Sequence, residues 1–326
     1  MAPARRLFSK RRAAKAVSGK HTIVAVDVGN SAAKIAIGQE PPKPEVDDIT
    51  AFSGGPGQRL RTISLDQSDW TTGVCRWVRQ HVAGDDITWW VSTVNRAASQ
   101  PLQRCVAEQF ASFQWHAIDH RAIPMEIEVD FPDRVGIDRL IGAYAASLRF
   151  PRPLVIVDAG SAVTIDWVSG GPSDASTFHG GAILPGIRLQ LAALANGTEG
   201  IEPTFGSSFG SSIEGGSHVA ADRQPNIDVQ PNIDVLGPGK NTQQAIRRGV
   251  MAGICGGIER LAVDYARTSV KTDASGRVPQ IVLTGGDAAA ISGFLRVEHV
   301  LLPGLVCRGL FDLAWRKCQT GCGGLE

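Results

Sequence analysis

The chain has 326 residues, of which 43% are hydrophobic and 20% charged, and its formal net charge at pH 7 is +1. This length and apolar content suffice for one large or two medium hydrophobic cores. No segment approaches the roughly 18 consecutive apolar residues of a membrane span, and the N-terminal residues lack the apolar stretch of a signal peptide. We therefore expect a globular enzyme of the cytoplasm that has no membrane partner.

The first 20 residues carry seven Lys or Arg side chains and no acid, which leaves 26 basic against 32 acidic residues in the rest of the chain. Such a segment can contact nucleic acid or a membrane surface, but interleaved aromatic residues and a convincing apolar face are lacking. We expect residues 1–21 to form a basic, disordered, solvated tail, and nucleic acid is not an expected partner.

The six cysteines are too scattered for the disulfide framework of a secreted protein. Cys318 and Cys322 lie close together in the chain, but no second Cys or His pair at zinc spacing accompanies them. Reduced thiols without a metal are therefore expected.

The first half of the chain alternates strands and helices. Two short strands, residues 22–28 and 32–38, are joined by the polar turn 29–31. A surface loop is expected at 40–60, a buried strand at 87–94, a helix at about 102–110 and a strand near 115–118. A helix then opens near Gly136 and ends before the Pro-rich break at 150–153. This order is typical of an α/β layer.

The segment LVIVDAGSAVTIDWV at 154–168 repeats the pattern of the first strand pair: an apolar run, an Asp-x-Gly turn and a second apolar run. Asp and Gly favour turns in any case, so chance is the alternative, but the shared pattern favours a duplicated fold with one copy opening each lobe. An inserted surface loop is expected at 202–241, where QPNIDV occurs twice in tandem. A helix at 243–267, a strand at 280–286 and a closing helix at 305–317 follow.

Two acidic turns carry the residue types that bind phosphate. DVGNSAAK, from Asp27 to Lys34, combines a carboxylate, a glycine, small polar side chains and a lysine, and DAGSAVT, from Asp158 to Thr164, supplies a second copy. Backbone N–H groups and hydroxyls can surround phosphate oxygens, while a carboxylate holds Mg²⁺ directly or through water. Turn-forming residues without a ligand explain either motif alone. A Gly-Gly turn, LTGGDA at 283–288, follows a strand and can receive a base or ribose, and a P-loop is absent from the sequence.

GIDR, Gly136 to Arg139, places a carboxylate beside a guanidinium at a predicted helix start. Phosphorylation of an alcohol requires a group that orients or accepts the hydroxyl proton, and Asp138 suits this role. Arg139 can bind a substrate carboxylate, although a helix-terminus acid and a structural ion pair explain the same residues.

Two further motifs have both a structural and a functional interpretation. GGAILPG, from Gly180 to Gly186, either lines the cleft with backbone or has glycines that packing demands. GKNT, from Gly239 to Thr242, either supplies Asn241 or Thr242 as the N-cap of a helix or directs a hydroxyl into a substrate site.

These motifs, in this order from about Thr22 to Trp315, resemble those of the type III pantothenate kinase family. The resemblance implies an α/β fold of two ribonuclease-H-like (actin-like ATPase) lobes, residues 22–152 and 153–326, with the active site in the cleft between them. It implies phosphorylation of pantothenate by ATP, the first step of coenzyme A biosynthesis, by a homodimer that uses Mg²⁺.

The same resemblance assigns roles to individual residues. Residues that bind ATP are then Asp27, Val28, Gly29, Asn30, Ser31, Lys34 and Ser161. Residues that bind pantothenate are Gly136, Ile137, Asp138, Arg139 and Thr242, with Asp138 as the catalytic proton acceptor. Asp158 holds a monovalent cation, K⁺ or NH₄⁺.

The chain departs from the family pattern at a few positions. Serine replaces the usual threonine at Ser31 and Ser161, which keeps the hydroxyl, whereas Val129 stands where the family often has tyrosine. Because of this difference at Val129, a kinase that acts on another small hydroxylated acceptor, such as a sugar or a short acid, is an alternative. A nucleotide-binding regulator of the same fold, a transcription accessory factor, is the alternative from another class.

Overall fold

The computed structural model describes residues 22–38, 59–82, 84, 87–170, 176–199, 237–269 and 279–320. The expected tail at 1–21, and most of the loops expected at 40–60 and 202–241, lie outside the described residues. None of the helices in the described ranges combines the length and apolar character that crossing a membrane requires.

The first sheet is built from strands β1 (Thr22–Val28), β2 (Ala32–Gly38), β3 (Arg59–Ser64), β4 (Ile87–Thr93) and β5 (Gln114–Ala117). Their order is β3-β2-β1-β4-β5. β1 is antiparallel to β2 and parallel to β4. Helices α1 (Trp70–His81) and α2 (Arg96–Gln109) connect strands of this sheet, and a short 3-10 helix follows at His120–Ala122.

The second sheet is built from β6 (Glu126–Ile127), β7 (Leu154–Ala159), β8 (Ala162–Gly170), β9 (Ser176–Pro185), β10 (Gln280–Thr284) and β11 (His299–Leu301). Its order is β11-β10-β7-β8-β9-β6. Apart from β6, the second sheet repeats the first when its strand order is read in reverse. β7 takes the place of β1: it is antiparallel to β8, as β1 is to β2, and parallel to β10, as β1 is to β4. The duplicated α/β fold expected from the two Asp-x-Gly units is thus confirmed.

The remaining helices are α3 (Ile137–Ser147), α4 (Ile187–Gly197), α5 (Thr242–Ser269), α6 (Ala288–Ser292) and α7 (Leu305–Thr320), and a 3-10 turn at Pro132–Arg134 precedes α3. Helices α3 and α7 pack against each other between the two sheets. Along β1, Ile23 and Ala25 face this shared layer, whereas Val24 and Val26 face α1 and α2. The strict alternation follows from the period of two of an extended strand.

The predicted division at residue 152 places α3 in the first lobe and α7 in the second. However, α3 packs on β7 and β8 of the second sheet, and α7 packs on β1 and β4 of the first sheet. That division therefore stays a prediction. Of the three apolar clusters, the one in the shared layer contains residues of both sheets and joins them, whereas each of the other two covers the outer face of one sheet.

Several sequence-based boundaries were wrong. The helix expected at 102–110 begins at Arg96, because Asn95 caps it by accepting a hydrogen bond from the N–H of Ala98 at 3.1 Å, and Pro101 is accommodated inside it. The loop expected to end at residue 60 gives way at Arg59 to β3, and α1 was not anticipated. Of the two expected caps of α5, the structure confirms Asn241, whose Oδ1 accepts from the N–H of Gln244 at 2.9 Å.

Candidate active site

The two acidic turns contact each other. The first turn follows β1 and the second follows β7, and each is closed by a glycine N–H: Gly29 donates to the carbonyl of Ala32 at 3.0 Å, and Gly160 to that of Ala162 at 2.9 Å. The hydroxyl oxygens of Ser31 and Ser161 are 2.7 Å apart and exposed. One ligand can therefore contact both turns, which the phosphate-binding hypothesis requires.

Asp27 is the second-last residue of β1, just before the first turn, and is only 5% exposed. Its carboxylate accepts a hydrogen bond from Ser92 Oγ at 3.1 Å and lies 3.9 Å from Lys34 Nζ, which is directly opposite in the β1–β2 ladder. Burial raises the pKa of Asp27 to about 6; the charge of Lys34 opposes this, and those of Asp138 and Asp158 add to it. Three carboxylates thus converge on one region from both lobes.

Lys34 is the cation in this acidic region. The negative charge of Asp158 is the main cause that raises the pKa of Lys34, with Asp27 and Asp138 contributing, and burial opposes the shift. The Lys34 ammonium is 3.9 Å from the Asp27 carboxylate, and the charge of Asp158 in the second turn also acts on it. A lysine that stays charged while partly buried is suited to contact phosphate oxygens.

The Gly-Gly turn closes against the second acidic turn. Thr284 at the end of β10 pairs with Asp158, and the N–H of Asp287 donates to the carbonyl of Ala159 at 2.9 Å. Gly285 has φ +102°, and a Cβ there would lie 2.5 Å from Asp158 Oδ1 and in steric conflict with the carbonyl of Ala159. Glycine is required at this position because both the backbone angle and the close approach exclude a side chain.

Asp138 lies in the first turn of α3, at the edge of the same region. Its Oδ1 accepts a hydrogen bond from the N–H of Arg139 at 2.9 Å, and a Cβ on Gly136 would lie 2.6 Å from that oxygen. Burial raises the pKa of Asp138, and the charge of Asp158 raises it further. A carboxylate with a raised pKa is a better proton acceptor near neutral pH than an ordinary aspartate.

Arg139 is bound to a residue that sequence reasoning missed. Its Nε donates to both carboxylate oxygens of Asp166, at 3.0 and 3.2 Å, and its Nη2 contacts Asp166 Oδ1. The structural ion pair that the sequence left open as an alternative is therefore present. An acid within the apolar run VTIDWV was the available signal, because a charged residue in a buried strand needs a partner.

The glycines of GGAILPG have a packing role. Residues 180–185 continue β9, and only Gly186 separates this strand from α4. A Cβ at Gly186 would lie 2.6 Å from the carbonyl oxygen of Ser161, and the N–H of Gly186 donates to that oxygen at 3.0 Å. The motif thereby supports the second acidic turn from below.

The structure places Thr242 at the start of α5 and Val129 against the shared apolar layer. Thr242 is exposed at the first residue of α5 and has no hydrogen bond to Asp138 or Arg139 within the described parts of the chain. Val129 is partly buried against the shared layer, and its Cγ1 lies 3.4 Å from the Cβ position of Gly180.

The acidic residues fit a magnesium ion that is shared with a ligand. Among the described residues, no cluster of three or more His, Cys, Asp or Glu side chains is arranged to hold a metal. Mg²⁺ commonly binds proteins through one or two carboxylates together with substrate phosphates and water. Burial is the main cause that raises the pKa of Asp27, and the charges of Asp138 and Asp158 add to it, so a cation bound beside Asp27 would offset that part of the shift.

Two copies of one α/β fold, whose acidic turns meet beside a partly buried lysine, form a two-lobed protein with a candidate phosphate site between its lobes. The family model for type III pantothenate kinase matches residues 23–264. A type III pantothenate kinase of Rhodopirellula baltica is 34% identical over 89% of this chain and 97% of its own length. One of Acidiphilium cryptum is 32% identical over 70% of this chain and 72% of its own. The chain belongs to the type III pantothenate kinase family.

A solved structure supports the fold independently. The crystal structure of a conserved putative Baf family transcriptional activator from Campylobacter jejuni superposes with a TM-score of 0.51 at 17% identity, covering 91% of this chain and 99% of its own. At this identity the likeness concerns the fold alone.

Proposed function

We propose that this protein transfers the γ-phosphate of ATP to the hydroxyl of pantothenate, the first step of coenzyme A biosynthesis. The observation that carries the proposal is the convergence of both acidic turns and Asp138 on one region, with the hydroxyls of Ser31 and Ser161 2.7 Å apart. Membership of the kinase family supports the reaction class.

The phosphates of ATP bind between the two turns. On one side, the 27–31 turn offers backbone N–H groups and the side chains of Asn30 and Ser31, and on the other Ser161 offers its hydroxyl. Lys34 balances phosphate charge from beneath. Mg²⁺, when bound with ATP at Asp27, supplies charge neutralisation of the phosphate oxygens.

Asp138 accepts the proton of the acceptor alcohol. As the hydroxyl oxygen forms its bond to the γ-phosphorus, the bond from that phosphorus to the β,γ-bridging oxygen breaks and ADP leaves with the electron pair. The hydroxyl proton passes to the Asp138 carboxylate, whose raised pKa suits this transfer. The remaining work of the site is positioning, since phosphoryl transfer depends mainly on alignment and charge stabilisation.

The pantothenate carboxylate binds at the GIDR segment, with Arg139 as its cationic partner and Gly136, Ile137 and Thr242 as further contacts. This assignment is supported by the adjacency of Arg139 and Asp138, which are joined by a 2.9 Å hydrogen bond. Asp158 holds the monovalent cation, K⁺ or NH₄⁺. This assignment is supported by Gly285, beside which the carbonyl of Ala159 and the carboxylate of Asp158 both lie with no side chain between them.

The active enzyme is a homodimer in the cytoplasm. The dimer rests on family membership and not on any contact within this chain. The likeness to the Baf family protein does not favour the regulator alternative, because it concerns the fold alone.

An acceptor panel tests the proposal. Purified protein is assayed for ADP release with pantothenate, a sugar and short hydroxy acids, each with Mg²⁺ and with or without K⁺. We expect turnover with pantothenate only, and more of it with K⁺. Turnover with another acceptor alone would contradict the substrate assignment and implicate Val129, and absence of turnover with every acceptor would contradict the kinase itself.

A further inference from the structure

Asp166 is a buried carboxylate that the proposed chemical step does not use. It lies within β8, is 1% exposed and pairs across the ladder with Gly181 of β9. A Cβ on Gly181 would lie 2.6 Å from Asp166 Oδ1, so the bare backbone there leaves room for the acid. Its neighbours in the strand, Ile165 and Trp167, belong to an apolar core.

The carboxylate of Asp166 is aligned with the guanidinium of Arg139. Two hydrogen bonds from Nε, at 3.0 and 3.2 Å, and a contact from Nη2 engage one edge of the guanidinium. The ring of Phe178 lies beneath it, with 5.8 Å between the ring centroid and the guanidinium carbon. Within the described residues Nη1 donates to no partner, so it is the nitrogen that remains for a ligand.

We infer that Asp166 is a positioning residue for the acceptor: it holds Arg139 so that Nη1 meets the substrate carboxylate beside Asp138. This rests on the proposed function. A buried ion pair adds little net stability relative to apolar side chains of similar size, so the orientation of the guanidinium is the specific effect that the pair delivers. Arg139 also donates its backbone N–H to the carboxylate of Asp138. A shift of Arg139 would therefore also shift the carboxylate that accepts the hydroxyl proton of the acceptor.

Asp166→Asn tests this role by steady-state kinetics. Loss of a positioned, charge-assisted contact predicts a rise of roughly 10-fold to 100-fold in KM for pantothenate. We expect KM for ATP to stay within about twofold, because Asp166 does not touch the acidic turns. In an Arg139→Gln background, Asp166→Asn should cause no further rise, because Asp166 acts through Arg139.

An unchanged KM for pantothenate, an equal rise in KM for ATP, or full additivity of Asp166→Asn with Arg139→Gln would each overturn the inference. A lowered KM for pantothenate in Asp166→Asn would likewise overturn it, because this result would mean that Asp166 of the wild-type protein competes with the substrate for Arg139. If the wild-type protein phosphorylates pantothenate and Asp166→Asn has the same KM for pantothenate, the inference about Asp166 is wrong while the proposed function stands. If wild-type protein does not phosphorylate pantothenate, the proposed function fails first.

A second measurement does not depend on folding of the Asp166 variant. Burial raises the pKa of Asp166 to about 6, against the opposing hydrogen bond and charge of Arg139, and the other titratable groups that act on the pair are Asp138, Asp158 and Tyr265. Calorimetric titration of pantothenate, with a non-hydrolysable ATP analogue present, is compared at pH 7.5 and 5.5. We expect weaker binding at pH 5.5 in wild type and a much smaller change in Arg139→Gln, and equal changes in both would overturn the inference.

Discussion

Replacement of Asp27 by Asn is expected to stabilise the protein while it weakens nucleotide binding. Burial raises the pKa of Asp27 from 3.8 to about 6. A difference of about 2 pKa units corresponds to about 3 kcal/mol in the free energy of unfolding, at 1.36 kcal/mol per unit. The native state binds the proton more tightly than the unfolded chain. Stability from this group is therefore complete below pH 4 and is lost as pH rises through 6.

At pH 7.5 the wild-type protein carries the full cost of an ionised Asp27, and Asn, which stays neutral, does not. We expect Asp27→Asn to be more stable by up to about 3 kcal/mol in urea unfolding followed by tryptophan fluorescence, in metal-free buffer. The gain should shrink as pH falls from 6 towards 4. Asp69→Asn, at an exposed position with no side-chain capping hydrogen bond, is the matched control and should change little.

If Asp27→Asn were no more stable than wild type at pH 7.5, or if its gain were the same at pH 4.5, the reasoning from burial would be refuted. A variant that is stabilised yet still binds ATP normally would instead show that the first turn does not use this carboxylate for the nucleotide.

Gly285→Ala should lose at least about 1–2 kcal/mol of unfolding free energy from its positive φ alone, and should respond less to K⁺, because its Cβ would press on Asp158. Gly286→Ala, where a Cβ meets nothing within 4 Å, is its control, and equal urea midpoints for the two variants would contradict the account of this turn. Ser31→Ala and Ser161→Ala should each raise KM for ATP roughly threefold to tenfold, as expected for one lost hydrogen bond, without changing KM for pantothenate. An unchanged KM for ATP in both serine variants would contradict the proposed contact between the two turns and the phosphates of ATP.

The central strands were predictable because their physical signal is local. The runs TIVAVDV and LVIVDA are continuous and apolar, bounded by Asp-x-Gly turns, and both form strands that are almost entirely buried. β3 was missed because it is an edge strand of mostly exposed polar residues, and its two apolar residues, Leu60 and Ile63, face opposite sides of the sheet, so no alternating apolar pattern marks it. α1 does carry a helical signal in the sequence, since Trp70, Val74 and Val78 recur at helical spacing and are all buried.

The site was predictable in part. The Asp-x-Gly turns and GIDR identified residues that the fold brings together, because each motif ends or begins an element of regular structure. The partner of Arg139 was not predictable, since 27 positions separate it from Asp166 and only the packing of α3 on β8 joins them. The contact between the two turns, across 130 positions, likewise depends on how the two lobes pack.

Transfer of labelled γ-phosphate from ATP to pantothenate, compared between wild type and Asp138→Asn, tests the central claim most directly. We predict labelled phosphopantothenate from wild type and a rate lower by roughly 10²-fold to 10⁴-fold from the variant, with the affinity for a non-hydrolysable ATP analogue within about twofold of wild type. Transfer at the wild-type rate by Asp138→Asn would contradict the account.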